Sequence, residues 1–119
     1  MSSLQTFLDL IRTSPELVEF EQTMSVIADN YQYQPTQFSN GVGDAKTVNQ
    51  AGTNEGSCKI FAFALLNDLS EKQTLACFGR YYRLDVLQNP QGQDHQNIRN
   101  FMHDGWSGIE FSGSALNPH

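Results

Sequence analysis

Apolar and polar residues alternate with the period of an α-helix through the first thirty positions. Apolar side chains at positions 4, 7, 8 and 11 share one face, so this spacing predicts a short amphipathic helix over residues 3–12. Ser14 and Pro15 have the residue types of an N-cap and a first helical position, which predicts a second helix over residues 15–29. We expect its buried face to hold Leu17, Phe20, Met24, Ile27 and Ala28.

Two more helices are predicted in the middle of the chain. Residues 57–67 are apolar on almost every side, which is typical of a helix buried at the centre of a domain. Ser70 and Gln73 match the capping-box pattern, in which two side chains satisfy N–H groups at a helix start. The fourth helix should therefore begin after Ser70 and stop before the turn at Asn89.

A fifth helix and two short strands complete the predicted fold. Asp94 has the residue type of an N-cap for the fifth helix, and Gly105 follows its last turn. Strands are expected near residues 31–34 and 108–111, and their pairing would form a small two-stranded antiparallel ribbon. The predicted fold is therefore α+β, mainly α, with about five helices around one core.

The segments between and after these elements carry separate predictions. Residues 39–57 contain four glycines and no apolar periodicity, so we expect a long loop, which in a small domain is often functional. Residues 112–119 are expected to form a flexible tail. The length of 119 residues fits a single domain, with its core over residues 3–111.

Charge and cysteine content narrow the class of protein. The formal net charge of −6 works against nucleic-acid binding, which needs a basic face, and against attraction to anionic membranes. Every apolar run is shorter than the ~20 residues that cross a bilayer, and the N-terminus lacks the basic start of an export signal. Two cysteines are fewer than a secreted disulfide scaffold carries, so we expect reduced thiols in a cytosol.

Cys58 is the first candidate for chemistry, because it lies where the polar loop enters the apolar third helix. A helix start lowers the pKa of a thiol, so Cys58 could serve as a nucleophile with His95 as its base. Asp94 would then orient the imidazole. The competing interpretation is that Cys58 only packs beneath the loop, and Cys77, within an amphipathic helix, is predicted to be buried.

The same loop offers a site for non-covalent binding. Its N–H groups lead to the start of the third helix, where an anion could bind without a dedicated motif. The candidate binding residues there are Asn54, Glu55, Gly56 and Ser57. Glu55 could act as a general base or help to cap the helix. The alternative for the whole segment is a surface loop held by its own Asn side chains.

Arg83 and Arg99 belong to a late cluster of arginines and tyrosines, the residue types that anchor protein interfaces. Acidic residues among them also allow internal ion pairs. His95 and His103 are eight residues apart, about 12 Å along a helix, so they cannot share one metal ion. We therefore expect no metal and no cofactor, and a possible protein partner for the Arg/Tyr cluster.

Several groups of residues, taken together, are specific enough to compare with a known family. They are Tyr33–Thr36 with Phe38, Asn40 and Gly41; Ala51–Lys59 with Phe61 and Ala62; Thr74–Gly79; Tyr81–Arg83 with Asp85–Leu87; and Asp94–Met102 with Gly105 and Trp106. In these groups, over about residues 31–111, the chain resembles the HopJ type III effector family of bacteria.

The resemblance implies an effector delivered into a host cell by type III secretion, and it brings no reaction or catalytic residue. A type III signal is a mobile N-terminal segment, whereas residues 3–12 are predicted to form a packed helix, so retention in the bacterial cytoplasm is an equal expectation. With the long loop and the Arg/Tyr cluster, the resemblance suggests a small interaction protein. Its expected surface is the 39–57 loop, the start of the third helix and the fifth helix. A thiol hydrolase or transferase using Cys58, and an anion-binding module using the loop, are the alternatives.

Overall fold

The computed structural model describes residues 3–118, and its mainly helical α+β architecture confirms the predicted fold class. The α-helices are α1 (Ser3–Thr13), α2 (Phe20–Asn30), α3 (Glu55–Leu66), α4 (Glu71–Ala76) and α5 (Gln96–Asp104). The strands are β1 (Tyr31–Tyr33), β2 (Phe38–Asn40), β3 (Thr47–Asn49), β4 (Glu110–Phe111) and β5 (Leu116–Pro118). A π-helical segment covers Tyr81–Val86, and short 3-10 turns cover Pro15–Leu17, Gly43–Ala45 and Gly105–Gly108.

The central helix is α3, as its apolar sequence predicts. Ile60, Phe61 and Phe63 are fully buried. The ring of Phe61 lies at centroid distances of 5.0 to 6.3 Å from those of Phe38, Phe78, Phe101 and Trp106. Aromatic rings supply much of the apolar area in such a core. Through the ring of Phe61, α3 therefore packs against both strand β2 and the later helical segments.

The strands pair differently from the predicted ribbon. β1 pairs antiparallel with β5, while β2 lies between β3 and β4 in a three-stranded antiparallel sheet. The predicted pairing of residues 31–34 with residues 108–111 is therefore wrong. In β4, Phe111 lies opposite Phe38, and the two rings stack at a centroid distance of 5.3 Å. This aromatic cross-strand pair gives β4 its partner in β2.

Two segments predicted to be irregular contain strands. The loop expected over residues 39–57 includes the end of β2 and all of β3, which form an antiparallel hairpin. In the expected tail, Ala115 and Leu116 are buried, and β5 pairs with β1. The prediction of a flexible tail is therefore wrong for residues 115–118, and its last residue, His119, lies outside the described residues.

The predicted second helix consists of two separate pieces. Pro15–Leu17 forms a 3-10 turn, and α2 begins only after Glu19, which forms a capping box with the third residue of the helix. Ser14 makes no side-chain cap hydrogen bond to any described residue. The capping box fixes the helix start five residues later than predicted. Leu17 is 62% exposed and Ala28 is exposed, so neither belongs to the buried face.

The predicted fourth helix begins as expected and is interrupted at Gly79. The Ser70 hydroxyl accepts the N–H of Gln73 at 3.1 Å, and Gln73 Oε1 accepts the N–H of Ser70 at 2.9 Å, which confirms the capping box. Gly79 has a φ of +60°, and a Cβ there would lie 2.6 Å from the backbone N of Phe20. The chain resumes as the π-helical segment, a conformation often found at functional sites.

Candidate functional site

The starts of α2, α3 and α5 meet strand β3 and the π-helical segment around a cavity of about 530 Å³, called here the central cleft. One wall is apolar and is formed by Phe20, Phe78, Tyr81 and Ile98. The remaining lining is polar and comes mainly from the first residues of α3 and α5. A cavity of this size with a few polar groups is typical of a site for a small ligand.

The start of α3 borders the cleft with N–H groups that have no partner among residues 3–118. Its N-cap, Asn54, is left-handed with a φ of +49°, and its side chain does not cap the helix within residues 3–118. The N–H of Cys58 donates to the Asn54 carbonyl at 3.0 Å and is the first to find a backbone partner. The N–H groups of Gly56 and Ser57, two residues of the cleft lining, therefore remain available to an external acceptor.

The start of α5 has the same construction. His95 is its N-cap, is left-handed with a φ of +52°, and has no side-chain cap bond to the described chain. The N–H groups of Ile98 and Arg99 both donate to the His95 carbonyl, at 3.0 and 3.1 Å. Gln96 and Asn97 line the cleft, and their N–H groups precede the first bonded one.

Asp94 is therefore not the N-cap of α5, and the two predicted binding arginines are occupied within the fold. Arg99 donates to the Asp94 carboxylate at 2.6 Å and to the carbonyl of Asn89 at 2.9 Å. Its hydrogen bond to the carboxylate lowers the pKa of Asp94. Arg83 donates to the carbonyl of Val18 at 2.7 Å. Both guanidinium groups thus secure turns of the backbone.

His95 is held by the π-helical segment. Its Nε2 lies 3.0 Å from Asp85 Oδ2, and its ring packs on that of Tyr81 at a centroid distance of 5.4 Å. Phe20 meets the same Tyr81 ring edge-on at 5.0 Å. Tyr81 and Asp85 are four residues apart in the segment, so this one element supplies both the aromatic wall and the group that orients the imidazole.

A buried network of asparagines joins the two helix starts. Asn49 is 2% exposed, and its Oδ1 accepts from Asn54 Nδ2 at 2.7 Å and from Asn97 Nδ2 at 3.0 Å. Asn40 Nδ2 donates to the carbonyl of Asn97 at 2.8 Å. The hairpin of β2 and β3 therefore fixes the separation of α3 and α5, because both are bonded to the same side chain.

Cys58 is in a different environment from the predicted base. It is 1% exposed, and its Sγ donates to the carbonyl of Thr36 at 3.5 Å. Burial raises the pKa of this thiol. Because His95 pairs with Asp85 and the thiol with Thr36, the groups Cys58, His95 and Asp94 do not form a hydrogen-bonded catalytic unit in the described chain.

Gly56 and Glu55 also have distinct roles at the start of α3. A Cβ on Gly56 would lie 2.9 Å from Cζ of Phe20, so the missing side chain allows this ring to pack against the helix. Glu55 lies near the hydroxyl of Tyr33. The pKa of Tyr33 is raised mainly by burial and secondly by this carboxylate. Of the predicted binding residues, the structure thus brings Asn54, Gly56 and Ser57 together in the cleft.

Comparisons with known proteins identify the family. A sequence profile described as HopJ type III effector protein matches residues 4–116. The chain belongs to the HopJ type III effector family. A solved structure, the "Crystal structure of unknown function protein VPA0580", is 58% identical with a TM-score of 0.94, and the match covers 100% of this chain and 95% of that one. A search of curated proteins finds no significant match.

The part of this HopJ domain that the structure describes has neither a metal-binding cluster nor a membrane-spanning helix. Among residues 3–118, no three His, Cys, Asp or Glu side chains are grouped so that they could hold a metal ion. None of the helices in the same range has the length and apolar character needed to cross a bilayer.

Several residues at the cleft of this HopJ domain were not predicted to belong to one site. From the sequence, Phe20 was placed on the buried face of the second helix, Tyr81 in the Arg/Tyr cluster and Asp85 among its acidic neighbours, and Gln96 was given no role at a site. Gly79 carries a usable signal, since a glycine inside an otherwise helical pattern often marks a break or a close backbone contact. The π-helical conformation that follows has no comparable signature, because the segment packs against α5 and against the Phe20 ring of α2, which are distant in sequence.

Proposed function

We propose that this HopJ protein is an effector-like binding protein that recognises its target non-covalently in the central cleft. One observation carries the proposal: two helix starts, whose first N–H groups have no partner in the described chain, share one cavity of about 530 Å³ with aromatic residues in its lining. Such a cavity can bury a compact group and fix it by a few hydrogen bonds. The group could belong to a small molecule or project from a protein partner, as expected for an interaction protein.

The proposal is tested by mapping the binding of small compounds onto the backbone. A library of neutral and charged aromatic fragments is added to ¹⁵N-labelled protein, and amide chemical shifts are followed. We expect several fragments to shift the amides of Gly56, Ser57 and Gln96 in a saturable way. Fragments that bind only elsewhere, or not at all, would contradict the proposal.

A blocking variant makes this test specific. Ser57→Leu introduces a bulky side chain into the cleft lining and should abolish those shifts. Ser25→Leu is the matched control, because Ser25 is exposed on α2 and lies outside the lining. Retained shifts in Ser57→Leu, with thermal unfolding unchanged, would mean that the fragments bind at another surface.

The alternative of a thiol hydrolase or transferase stays a prediction, and the environment of Cys58 gives it little support. A nucleophilic thiol should be accessible with a depressed pKa, whereas Cys58 is buried with a raised one. In a Cys77→Ala background, we expect Cys58 to be alkylated by iodoacetamide only at the rate of unfolding. Fast alkylation of the folded protein below pH 8 would restore the enzyme hypothesis.

Membership of the HopJ family supports delivery into a host cell by type III secretion, and retention in the bacterial cytoplasm is the alternative. The full chain, fused at its C-terminus to a translocation reporter, can be expressed in a strain with a working secretion apparatus and in an apparatus-deficient one. We expect reporter signal in host cells only from the first strain. Equal absence of signal from both would favour retention.

A further inference from the structure

The hydrogen bonds within the fold determine which polar groups of the central cleft remain for a ligand. An asparagine or glutamine amide has one end that donates and one that accepts, and a backbone carbonyl can only accept. Any amide bonded to a carbonyl must therefore present its nitrogen there. Following such bonds outward from the core fixes the direction of each amide at the rim of the cleft.

On the α5 side, the chain of bonds ends at Gln96. Asn100 Nδ2 donates to the carbonyls of Ala45 at 2.8 Å and Asn40 at 3.2 Å, so its Oδ1 is an acceptor. That oxygen accepts a hydrogen bond from the Nε2 of Gln96 at 2.8 Å. The remaining Oε1 of Gln96 has no partner among residues 3–118 and is left as an acceptor at the cleft.

On the α3 side, the chain of bonds ends at Asn54. Asn40 Nδ2 donates to both the carbonyl and the Oδ1 of Asn97, at 2.8 and 3.0 Å, so the Nδ2 of Asn97 must donate to Asn49. Asn49 Oδ1 is thereby an acceptor, and Asn54 presents Nδ2 to it at 2.7 Å. Within the described chain, Asn54 Oδ1 is left without a partner.

His95 adds a third polar group. The carboxylate of Asp85 accepts from its Nε2 at 3.0 Å, and in the neutral form of the ring the other nitrogen, Nδ1, is then an acceptor. The donors of the cleft are the N–H groups at the starts of α3 and α5, together with the Ser57 hydroxyl. Acceptors and donors are thus both present in a cavity that Phe20, Phe78 and Tyr81 also line.

The absence of charged acidic and basic side chains among the described lining residues restricts the chemical class of the ligand further. In the described part of the chain, neither lysine, arginine, aspartate nor glutamate lines the cleft. Phosphate groups are usually held by such cations, and the net charge of −6 also disfavours a polyanion. A simple carboxylate would use the donors but would bring no hydrogen to the three acceptors, whereas a ring that carries both donors and acceptors can pair with both sets.

We infer that the central cleft binds a neutral, planar heteroaromatic ring of the nucleobase type, as a free base or nucleoside, packed against the aromatic side chains of Phe20 and Tyr81, with its donor and acceptor edge toward the starts of α3 and α5. The inference rests on the proposed function, since it names the group that the cleft recognises. Contact with an aromatic side chain supplies affinity, and hydrogen bonds from both the donors and the acceptors of the cleft supply specificity.

The first experiment compares ligands of matched size by calorimetry and amide shifts. Adenine, hypoxanthine and cytosine are the probes, with indole as a ring lacking the acceptor edge, benzoate as an anion, and adenosine 5′-monophosphate as a charged nucleotide. We expect at least one base to bind ten times more tightly than indole or benzoate, with shifts at Gly56 and Gln96.

Each other outcome overturns the inference in a recognisable way. Tighter binding of benzoate would make the cleft an anion site, and equal binding of indole would make it an unspecific apolar pocket. Tighter binding of the nucleotide would show that phosphate is recognised. If fragments bind in the cleft but no base does, the inference fails and the proposed function is kept. If no compound binds in the cleft, both the inference and the proposed function fail.

Variants of the π-helical segment test the stacking itself. Tyr81→Leu should weaken binding of the best base about tenfold or more, since base–aromatic stacking contributes on that scale. Tyr82→Leu is the matched control, because Tyr82 is the neighbouring partly buried residue outside the cleft lining. Tyr81→Phe keeps the ring and should keep the affinity. Equal losses in Tyr81→Leu and Tyr82→Leu, or a loss in Tyr81→Phe, would refute stacking on this ring.

Discussion

The starts of α2 and α4 differ from those of α3 and α5 in how their first N–H groups are satisfied. α2 and α4 each have a capping box, built from Glu19 in one case and from Ser70 in the other. α3 and α5 have the left-handed residues Asn54 and His95 instead. Since the capped starts have little capacity for an external partner, the contrast separates ends that serve the fold from ends that can serve recognition.

The open starts need support that the capped starts do not. A non-glycine residue in a sparsely populated backbone region costs about 1–3 kcal/mol and persists only when its surroundings hold it there. Asn49 provides that support, because it is bonded to Asn54 of one start and to Asn97 of the other. The strain and the cavity therefore depend on the same buried network.

The largest effect is expected at Gly79, which packs against the capped start of α2. Gly79→Ala would place a Cβ 2.6 Å from the N of Phe20 at a φ of +60°, so the free energy of unfolding should fall by about 3 kcal/mol or more. Gly52→Ala is the matched control, with a φ of +88° and no described atom within 4 Å. Urea unfolding that gives equal losses would mean that packing on α2 does not require this glycine.

The next effect tests the support of the open starts. Asn97→Ala leaves the Nδ2 of Asn40 and the Oδ1 of Asn49 each short of one partner, so we expect a loss of about 2–3 kcal/mol. Binding at the central cleft should weaken in the same variant. Asn117→Ala, at an exposed position of β5, should change stability by less than about 0.5 kcal/mol. Indistinguishable unfolding curves for the two variants would show that the asparagine network does not stabilise the fold to this extent.

A pH titration probes the far end of α4. Burial raises the pKa of Cys77 to about 12, above the value of about 8.5 in an unfolded chain. The folded state therefore holds this proton more tightly, and its stabilising effect is complete below pH 8.5 and is lost as the pH rises further. Above pH 9, wild-type stability should fall by about 1.4 kcal/mol per pH unit more steeply than that of Cys77→Ala. Parallel slopes would contradict the raised pKa.

The smallest effect compares a capped start directly with an open one. Ser70→Ala removes the cap of α4 and should cost about 1 kcal/mol in chemical unfolding. Ser57→Ala, in the first turn of α3, should change stability by less than about 0.5 kcal/mol, because its hydroxyl has no partner in the described residues. A loss of 1 kcal/mol in Ser57→Ala as well would mean that the Ser57 side chain caps the start of α3. The contrast between capped and open helix starts would then be wrong.

Where the sequence analysis succeeded, it used interactions between residues close in the chain. The amphipathic spacing of α1, the apolar character of α3 and the Ser70 capping box each act within a few residues, and each is confirmed. The second helix was misplaced for the same kind of reason, because Ser14 offers an attractive cap but Glu19 offers two reciprocal bonds. The sequence can predict such a helix start only when both possible N-caps, Ser14 and Glu19, are compared.

The sequence by itself determined the fold class, the family, the buried central helix and the loop that leads to the cleft. Only the tertiary structure decided that β1 pairs with β5, that Asp85 holds His95, and that Asn49 joins two helix starts. The residues in the first and third of these contacts are brought together from distant parts of the chain. Their free energy depends on which groups lose water together when the core packs, and no local pattern along the chain records that outcome.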